Sequence, residues 1–71
     1  MSRIIEVKNQ VTGQIAVMSG VSLRYAVAQA YAEYGVADVD GGNPETKYGA
    51  LIGRDDGVAA TIGDWIAQYA S

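Results

Sequence analysis

One stretch of this 71-residue chain carries apolar residues at helical spacing, and the segments on either side of it alternate. In SLRYAVAQAYAEYG, residues 22–35, the side chains of Leu23, Ala26, Val27, Ala30, Tyr31 and Tyr34 form one continuous stripe. A single amphipathic helix must bury its stripe against another element, and alternating flanks supply a sheet. Ser22 is placed to cap the helix N-terminus. Gly35 suits the left-handed position beyond its end, which would let Val36 fold back toward Tyr31. Ala26 and Ala30 allow a close approach to the sheet, and the tyrosines add bulk while their hydroxyls reach water.

The flanks set the strand count. Ile5 and Val7 alternate with polar neighbours, as do Ile15 and Val17 after the Val11-Thr12-Gly13 turn, so a hairpin is expected there. A three-residue loop with Gly13 left-handed places Val7 opposite Val17 and Asn9 opposite Ile15. A two-residue loop would set Lys8 opposite Val17 and mix charge into the apolar face. In the C-terminal half, a loop at Asp55-Asp56-Gly57 pairs Ile52 with Ala60 and Ala50 with Ile62. A second, two-residue loop at Gly63-Asp64 pairs Ile62 with Trp65, Ala60 with Ala67 and Val58 with Tyr69. Tyr48, Ala50, Ile52, Val58, Ala60, Ile62, Trp65, Ala67 and Tyr69 then share one face, and that agreement favours three consecutive strands. The alternative makes Asp64 an N-cap and residues 65–70 a short C-terminal helix. The expected architecture is one small α+β domain spanning residues 1–71. A single helix packs on one face of an antiparallel sheet, in the order β-β-α-β-β-β.

One helix covers one face. Alternation assigns to the other face Ile4, Glu6, Lys8, Gln14, Ala16, Met18, Gly49, Leu51, Gly53, Ala59, Thr61, Ile66 and Gln68, with Ile4, Met18, Leu51 and Ile66 as apolar anchors. A contiguous exposed apolar patch marks an interaction site, whereas apolar residues scattered singly are ordinary surface.

Chemistry is constrained by what is missing. The chain has no cysteine and no histidine, which removes thiolate catalysis, the commonest metal ligands and the usual general base. The expectation is a non-enzymatic protein with no catalytic residue, cofactor or bound metal. The connection ADVDGGNPETKYG, residues 37–49, holds Asp38, Asp40, Asn43 and Glu45, yet counting from Asp38 puts Gly42 at the fifth position, Asn43 at the sixth and Gly49 at the twelfth of a calcium loop. It reads as a turn, with Pro44 marking where the helix cannot resume. The glycines of YGALIGRDDG lack the lysine and helix start of a phosphate loop. MSGVS, with Arg24, could present N–H groups to an anion, but capping explains it.

Net charge is −3, and it is unevenly spread: +2 over residues 1–32, −5 over residues 33–64 and zero beyond. The acidic middle argues against direct nucleic-acid binding, for which Arg3, Lys8, Arg24 and the tyrosines would be the candidates. It fits a protein partner that meets Asp38, Asp40, Glu45, Asp55 and Asp56. Nothing resembles a signal or membrane-spanning segment, so a cytoplasmic protein with no membrane partner is expected.

With its helix SLRYAVAQAYAEYG set between the hairpins VKNQVTGQIAV and IGRDDGVAATI, and carboxylates at 38, 40, 45, 55 and 56, the chain resembles the small anti-CRISPR proteins encoded by phages. Many of these are compact α/β domains that block a CRISPR effector by occupying its nucleic-acid or partner surfaces. The resemblance implies an inhibitor acting in the bacterial host cytoplasm, its acidic cluster mimicking nucleic-acid phosphates, and it assigns no role to a single residue. The alternative is a homo-oligomeric structural or accessory protein, a homodimer for instance, that associates through the open sheet face or an edge strand.

Overall fold

The computed structural model describes residues 3–70. Five antiparallel strands, β1 (Ile4–Asn9), β2 (Ile15–Ser19), β3 (Arg54–Asp55), β4 (Ala59–Ile62) and β5 (Trp65–Tyr69), form one sheet in the order β2-β1-β5-β4-β3. Two helices, α1 (Leu23–Ala30) and α2 (Pro44–Tyr48), lie between β2 and β3 in sequence. The α+β class and antiparallel sheet are those expected from the sequence; the helix count and the third strand differ. Among the described residues, no helix is long and apolar enough to cross a membrane.

The core lies between α1 and one sheet face. Ile5, Val7, Ala60, Ile62, Trp65 and Ala67 from the sheet meet Leu23, Ala26, Val27 and Ala30 from the helix, all nearly or fully buried. The alanines of α1 carry out the role their size suggests, letting the helix axis settle close over β1, β4 and β5. Ser22 caps α1 by accepting the Tyr25 N–H at 3.0 Å. The helix does not end at Gly35 with a left-handed residue, however. Residues Tyr31–Gly35 widen into a π-turn, Val36 N–H reaches back to the Tyr31 carbonyl, and the left-handed position falls on Ala37 at φ +50°. Gly35 serves a different need: a Cβ there would stand 3.2 Å from both Trp65 Nε1 and the Tyr31 ring. The glycine leaves room for the indole beneath the helix end.

Residues 48–52 are not a strand. Asn43 accepts the N–H groups of Glu45 and Thr46, and Pro44 sits at the first helical position, where its missing N–H costs nothing. Pro44 thus opens α2 instead of marking the absence of a helix. A short 3-10 turn over Gly49–Leu51 follows. Tyr48 and Ile52 still pack on the core, since residues four apart share a helical face as well as a strand face, but Ala50 is exposed.

Two turns shift register. The β1–β2 loop has four residues, Gln10 to Gly13, organised by the Asn9 side chain, which accepts the N–H groups of Val11 and Thr12 at 2.9 Å. Val7 therefore pairs with Ala16 and Glu6 with Val17, which puts Ala16 and Met18 on the covered face and Ile15 and Val17 on the other. The β3–β4 turn is the two-residue Gly57-Val58, with Gly57 at φ +80°, so that Asp55 pairs with Ala60. At Gly63-Asp64 the expected pairs, Ile62 with Trp65 and Ala60 with Ala67, are observed. Residues 65–69 are a strand, not the alternative terminal helix.

Candidate functional site

Two surfaces hold the residues singled out in the sequence, and the structure treats them differently. The carboxylates are drawn into the fold. Arg24, on α1, donates from Nε to Glu45 at 3.2 Å and from Nη1 to Asp55 at 3.0 Å, tying α1, α2 and β3 together. These two hydrogen bonds, that to Asp55 first, raise the Arg24 pKa. Asp56 organises its own turn: one oxygen accepts the N–H groups of Val58 and Ala59 and the other accepts Arg54 Nε at 2.7 Å. The Arg54 contact, then the two backbone donors, hold its pKa down at about 2.

Asp38 is the most enclosed of the set, its side chain 8% exposed. It accepts from Lys47 Nζ, from the Tyr48 hydroxyl at 2.6 Å and from the Asp40 N–H at 3.0 Å. The Lys47 bond, followed by the Tyr48 bond, lowers its pKa to about 2, and the same contacts raise those of Lys47 and Tyr48. Lys47 also donates to the Gly41 carbonyl at 3.1 Å, so residues 38–41 are clasped onto α2. Of the five carboxylates expected to form one negative patch, Glu45 and Asp55 converge on Arg24, Asp56 and Asp38 each face a different cation, and Asp40 is exposed beside Asp38. Their charge is largely answered within the chain.

Among the described residues, the sheet face turned away from α1 carries exposed apolar side chains. Cross-strand pairing lays out two rows, Val17-Glu6-Gln68-Ala59 and Ile15-Lys8-Ile66-Thr61-Arg54, with Ile4 and Ser19 beginning a third. Ile4, Ile15 and Val17 are 41%, 53% and 65% exposed. Ile66 is half-buried between Lys8 and Thr61, and a depression of about 420 Å³ lies beside it, bounded by Glu6, Lys8, Gln10 and Gln68. Ile4 and Ile66 thus lie where expected. Met18 does not: it packs against the core, where a flexible thioether fills the margin of the helix contact. Leu51 is exposed, but on the 3-10 turn after α2 and away from the sheet face. Ala16 and Gly49 leave the face for the same reasons. In their place it gains Ile15 and Val17, which a three-residue Val11-Thr12-Gly13 loop would have turned inward and the observed four-residue loop turns outward. The signal for their true side is Asn9, a turn-former whose side chain starts the loop at Gln10, one residue earlier than the Val-Thr-Gly triplet suggests.

Compared with known proteins, the chain matches no family model, no curated protein and no solved structure.

Proposed function

We propose that this chain is a small non-enzymatic protein-binding module whose docking surface is the open face of the sheet. The supporting observation is the row of exposed β-branched side chains, Ile4, Ile15 and Val17, continuous with Ile66 and interleaved with Glu6 and Lys8. Side chains on hydrogen-bonded strands are held in fixed positions, so a partner meets them without first ordering a loop. Apolar anchors give the contact its area, and one acid and one base between them set its register. The inhibitor role implied by the anti-CRISPR resemblance is a special form of this reading, with an effector subunit as the partner. In that form the sheet face is the better candidate than the carboxylates, since phosphate mimicry needs unanswered negative charge and most of these acids face a lysine or arginine.

Capture from a bacterial lysate tests the reading. Ile66→Lys is expected to abolish capture of the partner, with the fold checked by circular dichroism. Charge reversal at Asp40 and Asp55 is expected to leave it intact. The opposite pattern would return the function to the acidic side.

A further inference from the structure

The edge of β2 is a separate feature of the molecule, and its backbone says what fits there. Asn9 N–H donates to the Gln14 carbonyl, and on the other side of β1 Gln10 N–H donates to Asp64 and Ala70 N–H to Ile4. Odd-numbered residues of β1 therefore bond β2 and even-numbered ones bond β5. By the alternation of an antiparallel ladder, Ala16 and Met18 face β1 with their N–H and C=O groups, whereas those of Ile15, Val17 and Ser19 point away from the sheet. This outward row lies in a strand with no charged residue, no proline and no bulge, the devices that ordinarily blunt an edge. A strand is the only element whose backbone matches it.

The side chains narrow the choice of strand. From Gly13 to Ser19 the sequence reads Gly-Gln-Ile-Ala-Val-Met-Ser, and around Ala16 it is symmetric in kind: β-branched at 15 and 17, long and flexible at 14 and 18, small at 13 and 19. A two-fold axis through Ala16 pairs Ile15 with Val17 of a second copy, twice, through their outward backbone groups. It stacks the four β-branched side chains on the open face, and on the opposite face it sets Ala16 against Ala16 and Met18 against Gln14. The helix layer does not obstruct this, because α1 lies over β1, β4 and β5 and leaves Ala16 and Met18 half-buried. Open-ended growth through the far edge is blocked, since β3 is two residues long and both are charged and paired. A contact that uses the same patch on both copies closes as a dimer.

We propose that two copies of this chain join β2 to β2 about Ala16, making one ten-stranded antiparallel sheet whose open faces are continuous. The pairing is independent of the docking function proposed above, and the tests separate the two. Light scattering on the full chain is expected to give twice the chain mass. Val17→Pro removes an N–H that β1 does not use, so it is expected to leave the circular dichroism unchanged and reduce the mass to that of one chain. Ile66→Lys, two strands in from the edge, is expected to remain dimeric even though it loses its partner in the capture experiment. A single-chain mass for the unmodified protein up to millimolar concentration overturns the proposal. So does a dimer that survives Val17→Pro in folded form, or one that Ile66→Lys dissociates. If Val17→Pro does not fold, amide exchange in the unmodified protein decides. Protection at Ile15 and Val17 that grows with protein concentration supports the pairing, and fast exchange at both at all concentrations overturns it.

Discussion

At one edge of the sheet, β2 runs Ile-Ala-Val-Met-Ser with no charge and turns three residues' backbone groups outward. At the other, β3 consists of Arg54 and Asp55 alone; Asp55 is bonded to Arg24 on α1, and Arg54 to Asp56 in the adjacent turn. The first edge is apolar, regular and open, and the second is brief, charged and occupied. Both hold their places in the fold, but by different means: β2 depends on its five-pair ladder with β1 and on Met18 against the core, whereas β3 adds ion pairs to a ladder of only two pairs with β4. An edge made like β3 discourages pairing, and an edge made like β2 invites it.

Substitutions can break this contrast in order of expected effect. The largest belongs to Ala16→Pro, which removes a donor that β1 does use and leaves the Val7 carbonyl unpaired; it is expected to cost about 2–3 kcal/mol, measured by urea unfolding. Val17→Pro, one residue along, is expected to cost far less in a folded monomer. Equal losses from the two would mean that the assigned ladder phase is wrong. Next is Asn43→Ala on the β3 side, expected to cost about 1 kcal/mol through the lost cap of α2, with little change at the β2 edge by amide exchange.

Smaller effects come from the charges. Asp38 and Asp56 have pKa values of about 2, below the ordinary 3.8. A carboxyl lowered in the folded state contributes stability that is fully present above 3.8 and is lost as pH falls toward 2. The thermal midpoint is therefore expected to hold from neutral pH to about 4 and to decline below it, less steeply in Asp38→Asn; an unchanged acid slope in that variant would remove the clasp from the account. The smallest effect is that of salt. The exposed pairs of Arg24 with Glu45 and Asp55 are screened as ionic strength rises, so Arg24→Gln is expected to lower the melting temperature at low salt and to lose that effect at molar salt. Association through β2, being uncharged, is expected to persist there.

How far these features are legible in the sequence depends on how many physical signals coincide at each. The helix stripe from Leu23 to Tyr31, its Ser22 cap and the β4–β5 turn are read correctly because periodicity, capping and turn chemistry agree at those points, whereas Tyr34, at the end of the expected stripe, is exposed where the helix widens into the π-turn. Residues 48–52 fail that test: Tyr48 and Ile52 satisfy both the two-residue and the four-residue period, and only the exposure of Ala50 separates helix from strand. Asn43-Pro44-Glu45 holds the missing information, an N-cap followed by a first-turn proline and an acid at the positive helix end. On the site, Ile4 and Ile66 are found by alternation alone. Ile15 and Val17 are missed through a one-residue difference in loop length, which reverses the face of every side chain on β2. The ion pairs lie beyond any sequence reading of this chain, because Arg24 meets Glu45 and Asp55 only after α1, α2 and β3 have been assembled.

The sheet order carries one more consequence, for the chain as it is made. β1 lies at the inside of the sheet between β2 and β5, and its pairing with β5 joins Ile5 to Tyr69 across most of the sequence. Until Trp65–Tyr69 has been made, the backbone groups of Ile4, Glu6 and Lys8, which pair with β5, are as open as the outward groups of β2. A β1–β2 pair formed in that interval would be open along both edges. Closure of the sheet waits on β5, the last of its five strands in sequence, a long-range step of the kind that slows folding. The charges of Glu6 and Lys8 then lie on the edge that is exposed only during synthesis, where they discourage the pairing that the uncharged β2 edge permits.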